Sequence, residues 1–359
     1  MRTRMSRNYS WITALLIAVI ACCGACSTAP SHLAYVTLSN NQVAAYRVDN
    51  STGLLTPIAG SPYPAGVFPT AIAVHPSGKF AYVANTGEGD VALFTINGAA
   101  GTLNEVPPRV LTGTNPTSLV FRSDGNELFV ANAGSGTLSV FSINTRTGNL
   151  NRISGSPFSC GRSPVSLVIS SSNVLYAADS TSNAVFAFAV DTTTGGLTAI
   201  PGSPFPVGGS NPNSIAMDAS GKFLYTANLL SNTISGFAVA ANGSLTPIPG
   251  SPFAAETGPI SIAAAPGSEF IYVANQGSNT LSTFALSPSG VPSPAAGSPV
   301  PVGRSPVFVA ADVSGNFVFV GNGLSANLSE FAVNSSGLAK VDQSPYATPA
   351  TPTGLATRK

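Results

Sequence analysis

The chain has 359 residues, 15 of them basic and 14 acidic, for a formal net charge of +1. Only 8% of residues are charged, against about 25% in ordinary soluble domains, which excludes the Glu/Lys/Arg-rich helical bundles and coiled coils. The near-zero net charge offers no electrostatic footprint for nucleic acid, and a hydrophobic content of 44% excludes a disordered chain.

Arg2, Arg4 and Arg7 make a basic opening segment. An apolar run from Trp11 to Ala21 follows, broken only by Thr13. The run falls short of the roughly 20 residues that span a bilayer and fits the apolar stretch of an export signal. It ends in Val19-Ile20-Ala21-Cys22, which resembles a bacterial lipobox, with Cys22 as the lipid attachment residue and Cys26 as the alternative. The resemblance implies acylation of the thiol and cleavage just before it. Residues 1–26 are therefore read as signal and lipid-attachment segment, 27–31 as a short tether, and 32–359 as one globular domain. Removing the signal leaves 12 basic against 14 acidic side chains, so the membrane partner is met through acyl chains and not through charge. The expected location is the bacterial cell envelope, periplasm or cell surface. Three of the four cysteines lie in the signal region, so Cys160 alone belongs to the domain and no disulfide framework is available.

The domain repeats one motif seven times. Phe80-Ala-Tyr-Val-Ala-Asn85, Phe223-Leu-Tyr-Thr-Ala-Asn228 and Phe270-Ile-Tyr-Val-Ala-Asn275 are its clearest copies. The aromatic anchors Tyr35, Tyr82, Phe129, Tyr176, Tyr225, Tyr272 and Phe319 are spaced by 47, 47, 47, 49, 47 and 47 residues. Each repeat holds four short β-like runs. In the second repeat these are Thr70–Val74, Phe80–Ala84, Val91–Phe94 and Gly101–Val106, growing more polar in that order. Gly-bearing pairs such as Ser77-Gly78 and Asn242-Gly243 supply the positive φ of tight hairpins. Four antiparallel strands repeated at this interval predict an all-β, seven-bladed β-propeller. The chain enters at a second-strand motif, Leu33–Val36, and leaves through Thr351–Ala356, which matches the first-strand motif of Asn115–Val120. The C-terminal strand is thus expected to complete the N-terminal blade and close the ring.

Repeats centred on Tyr-Val-Ala-Asn resemble the bacterial YVTN propellers and the wider lactonase-like family, which includes 6-phosphogluconolactonase and a carboxymuconate-cyclising enzyme. The resemblance covers about residues 32–357 and implies catalytic His, Arg and Glu side chains gathered near the central channel. Here only His32 and His75 exist, neither in a His-x-His pattern.

In a four-strand meander, first-to-second and third-to-fourth turns share one face of the ring. Second-to-third loops and blade-to-blade connections share the other, and these longer, variable segments are where function is expected. The Asn series ending each second strand and the recurring Gly-Ser-Pro corners occur in nearly every blade, so they read as structural. Symmetry is broken by Arg162 and Arg304, each two residues before a strand-opening proline, by Glu256 in an equivalent connection, and by Asp179 where its peers are amides. Arg162, Arg304 and Glu256 are the candidate catalytic residues: guanidiniums polarise a lactone carbonyl or bind an anionic sugar acid, and a carboxylate serves as general base. Asp179 is the candidate ligand-binding residue. The bland alternative makes all four solvated loop charges. Glu88 and Asp90 share one loop and are the nearest approach to a Ca²⁺ site, but no metal and no cofactor is expected. The expected function is an envelope-anchored binding or scaffold module for a small-molecule, glycan or protein ligand, with a hydrolase opening a sugar-acid lactone as the alternative. A monomer is expected.

Overall fold

The computed structural model describes residues 31–98, 100–335 and 337–358. The apolar run at 11–21, Cys22 and Cys26 lie outside the described residues. Every element among the described residues is a β-strand, and the strands form seven antiparallel sheets arranged as blades around an axis. The second blade shows the plan: inner strand Pro69–Val74, then Phe80–Asn85, Asp90–Ile96 and the outer strand Leu103–Leu111.

The ring closes as the split repeat requires. Strand Pro352–Arg358 pairs antiparallel with Ser31–Leu38, Ala356 opposite Tyr35, so the chain's last strand is the innermost strand of its first blade. Blade 7 runs from Pro306 to Lys340 and packs against blade 1 across this closing seam.

Burial follows position along the blade. All six residues of Phe80–Asn85 are buried, because a second strand is covered on both faces by neighbouring blades. Outer strands such as Leu245–Pro247 bury only their first residue. The apolar side chains sort into seven clusters, each shared by two adjacent blades. No single core exists: each blade is stabilised by the faces of its neighbours, as in other repeat architectures. Full closure matters here because it protects edges that so few charged side chains could not.

The recurring corner has a defined task. Its serine Oγ accepts a hydrogen bond from the third strand of the same blade: Ser61 from Ala45 N at 2.8 Å, Ser203 from Ala187 N at 2.9 Å, Ser344 from Glu330 N at 2.8 Å. That backbone N–H lies where the short outer strand has already ended. Blade 2 lacks the corner. Its outer strand extends through Pro107-Pro108 to Leu111, longer than the expected Gly101–Val106, and pairs with Asp90 and Val91 directly.

A second device ties neighbouring blades. The anchor tyrosine of one blade donates its hydroxyl to the carbonyl oxygen of the turn glycine in the next: Tyr35 to Gly101 at 3.0 Å, Tyr82 to Gly148 at 2.6 Å, Tyr176 to Gly243 at 2.9 Å and Tyr225 to Gly290 at 2.6 Å. Two seams have phenylalanine instead, at Phe129 and Phe319, and both carry buried charged side chains.

Candidate functional site

The seven inner strands enclose an axial cavity of about 370 Å³. Its wall is wholly neutral among the described residues, from Thr70, Thr117 and Thr353 on one arc to Val165, Ile260 and Val307 on another. The threonine hydroxyls are engaged within the ring. Thr70 donates to Pro116 O, Thr117 to Pro164 O and Thr353 to Pro69 O, each bond linking one blade to the next. Ser118, Ser166, Ser214 and Ser261 accept backbone N–H groups of the following inner strand. The wall is therefore a self-satisfied hydrogen-bonded belt.

Charge begins outside the belt. Arg162 and Arg304 stand just before the inner strands that open at Pro164 and Pro306, on the face of the second-to-third loops and blade connections. Glu256 stands three residues before Pro259 in the corresponding connection. All three side chains are exposed, and among the described residues none has a side-chain partner. None of them lines the cavity itself. The Arg304 backbone is held firmly: Arg304 N donates to Ser325 Oγ at 2.7 Å and Leu324 N to Arg304 O at 3.1 Å.

Asp179 is wholly buried. One carboxylate oxygen accepts from Arg162 N and Ser163 N, both at 2.7 Å, and the other from Thr181 N at 3.1 Å and Ser182 N at 2.7 Å. The sequence explains why it is an acid. Asn132, Asn228 and Asn275 use their amide N–H to reach hydroxyls on the next strand, such as Thr137 and Ser139. In the fourth blade those two positions are Ala184 and Phe186, so a donor would have no acceptor. A carboxylate, with acceptors only, takes four backbone donors instead. Asp179 thus shapes the connection that presents Arg162.

The other singled-out residues are accounted for by local contacts. Glu88 pairs with Arg109 at 2.6 Å, and Asp90 accepts from Asn85 Nδ2 at 2.7 Å. His75 lies on the opposite face, buried, with Nδ1 2.8 Å from Ser77 Oγ and Nε2 2.9 Å from Gly125 O of the next blade. Cys160 is fully buried, and burial with the nearby Asp179 carboxylate pushes its thiol well above the ordinary range, so it is no nucleophile.

Two charged clusters escaped sequence reasoning, both at the phenylalanine seams. Beside Phe129, buried Arg122 meets Asp124 at 2.7 Å and Glu127 at 2.7 Å and donates to Thr192 O of the next blade at 3.0 Å. Beside Phe319, His32, Asp312 and Glu330 are all buried, with His32 Nε2 3.2 Å from Asp312 Oδ2. The signal available was the pair of Tyr-to-Phe exchanges, together with Glu330 in a third strand whose counterparts are Ala45, Leu93, Val140, Ala187, Gly236 and Thr283.

Among the described residues the markedly exposed large hydrophobic side chains, Val67, Phe68, Leu111, Leu230 and Leu324, lie on the loop face that carries Arg162 and Arg304. The opposite face bears charged turns instead, among them Asp49, Lys79, Asp191 and Lys222.

A family model described as lactonase, 7-bladed β-propeller, matches residues 30–166, 155–248 and 244–351. No curated protein matches the chain by sequence. Solved structures share the architecture. One, provisionally described as a 6-phosphogluconolactonase of Bacteroides uniformis, aligns with a TM-score of 0.80 at 19% identity, over 91% of this chain and 99% of its own. The periplasmic gluconolactonase of Pseudomonas aeruginosa aligns with a TM-score of 0.77 at 24% identity, over 92% and 99%. At these identities the structural likeness speaks for the fold alone.

Proposed function

The chain belongs to the seven-bladed β-propeller lactonase family, and from that premise we propose that it is a hydrolase opening a lactone of a sugar acid. The family match, running over residues 30–351, carries this reading. The substrate sits at the cavity mouth on the loop face. Arg162 and Arg304 supply guanidiniums to the lactone carbonyl oxygen as it becomes an oxyanion, and to any acidic group of the sugar. Glu256 takes a proton from the attacking water as its oxygen bonds to the carbonyl carbon. The ring C–O bond then breaks, and the departing alkoxide takes up a proton to give the hydroxy acid. Asp179 serves by holding the Arg162 backbone. No metal or cofactor enters this scheme.

The protein is further proposed to be exported and lipid-anchored at Cys22 or Cys26. Ser31 starts a second strand, and its register partner is Asp49 at a third-to-fourth turn. An anchor ahead of Ser31 would hold the tight-turn face toward the membrane and turn the arginine face away.

One observation favours a second reading, that of a binding module: the neutral cavity wall, together with the exposed apolar side chains Phe68, Leu111, Leu230 and Leu324 on the loop face. The discriminating experiment is hydrolysis of a panel of sugar and aromatic lactones by signal-free protein, beside Arg162→Ala, Arg304→Ala and Glu256→Gln. These side chains are exposed, so each substitution is expected to change stability by no more than about 0.5 kcal/mol. Activity is expected to fall at least about tenfold in each variant, as loss of a transition-state contact requires. Turnover untouched by all three would remove the site; no turnover on any lactone would leave the binding module.

A further inference from the structure

Glu330 is the most unusual buried group in the described chain. It has no exposed surface, and neither carboxylate oxygen has a hydrogen-bond partner. It lies directly across the strand ladder from Phe319, the anchor position whose hydroxyl is missing. Its Oε1 is 2.7 Å from where a Cβ on Gly53 would stand, and Gly53 is the turn glycine of blade 1. In four other seams a tyrosine hydroxyl donates to the equivalent glycine. Oε1 stands beside Gly53 where Cδ1 of its counterpart Leu93 stands beside Gly148, so a polar atom lies next to the one turn glycine at the closing seam that its facing anchor, Phe319, has no hydroxyl to reach.

Among the described residues no basic group pairs with it. The titratable groups facing it are Asp312 of the adjoining turn, Tyr346 of the corner strand and, beyond Asp312, His32 of blade 1. Asp312 itself is occupied by the backbone N–H of Phe317 at 3.0 Å and by Ser314. An ionised Glu330 would be a buried charge without donors, next to a second carboxylate.

We propose that Glu330 works as a neutral carboxylic acid which donates to the Gly53 turn in place of the absent tyrosine hydroxyl, making the closing seam a clasp that acid strengthens and alkali loosens. Burial first, and the Asp312 carboxylate second, hold its carboxyl up to about 9. The sign follows directly. A carboxyl whose folded value lies above its ordinary 4.5 contributes its full stability below about 4.5, and that contribution is lost as pH rises toward about 9.

The test uses wild type, Glu330→Gln, Glu330→Leu and the double variant Phe319→Tyr/Glu330→Ala, which copies the Tyr176–Ala187 pair of blade 4. Folding constants are measured by denaturant titration from pH 5 to 9. Glutamine keeps a donor but cannot ionise. Relative to it, wild type is expected to lose up to about tenfold in folding constant per pH unit, with parity near pH 5. Leucine removes the donor, and at pH 5 it is expected to fall below wild type by about tenfold. The double variant is expected to match glutamine at every pH, and it stands in if glutamine does not fold. Infrared spectra of native wild type are expected to show a protonated carboxyl band at pH 7 that the variants lack. Parallel pH profiles for wild type and glutamine, or no such band, would overturn the proposal; leucine as stable as wild type at pH 5 would overturn the donor role.

Discussion

Tyr82 donates its hydroxyl to the carbonyl oxygen of Gly148, 2.6 Å away and 66 residues further along the chain. The phenol is wholly buried, and burial pushes its ionisation well above the ordinary tyrosine range, so it remains a donor at every physiological pH. This contact joins blade 2 to blade 3 through a group that would otherwise be an unpaired buried carbonyl.

Tyr82→Phe removes the donor and strands Gly148 O, which costs about 1–3 kcal/mol. An unfolding free energy lowered by that amount in denaturant titration, with an unchanged slope, is the expected result. A loss below a few tenths would mean that water or a shifted neighbour takes over.

Asp179→Asn should be more damaging than its size suggests. The carboxylate accepts four backbone N–H groups, and an amide would turn its own N–H₂ toward two of them. Charge-assisted bonds of this kind are worth about 1.5–3 kcal/mol each in mutational series, and a net loss of about 2–4 kcal/mol is expected. Chemical denaturation reads it directly. If Asp179 instead contacts ligand and not the fold, stability will hold and only binding will suffer.

Arg122→Ala should leave a deficit that depends on pH. The Arg122 guanidinium holds the Asp124 carboxyl down at about 2, whereas burial pushes Glu127 up against the opposing pull of Arg122. A depressed carboxyl contributes stability above its ordinary 3.8 that is lost as pH falls toward 2. Without the arginine, Glu127 also becomes costlier to ionise. Both effects act at neutral pH and vanish once the carboxyls are protonated. Thermal midpoints of wild type and variant should therefore differ most at pH 6–7 and converge near pH 2. A constant gap would show that Arg122 acts by packing alone.

The architecture was legible because its information is local and repeated. The anchor spacing, the Gly-bearing turns and the polarity gradient are properties of each repeat. The split first repeat at Leu33–Val36 and Thr351–Ala356 announced the closing strand that the Pro352–Arg358 pairing bears out. Symmetry-breaking charges were legible as candidates too, since Arg162, Arg304, Glu256 and Asp179 stand out from their repeats by residue type.

What those residues touch was not legible. Asp179 looked like its exposed neighbours and is buried under four backbone donors, because burial depends on which connection folds over it. Glu330 and His32 lie 298 positions apart and meet the same Asp312 only because the ring brings blade 7 against blade 1. The repeat pattern by itself determined the seven blades and the order of strands within each. Only closure of the ring decided which side chains share a seam, because contacts between blades join residues whose separation carries no trace in the local sequence.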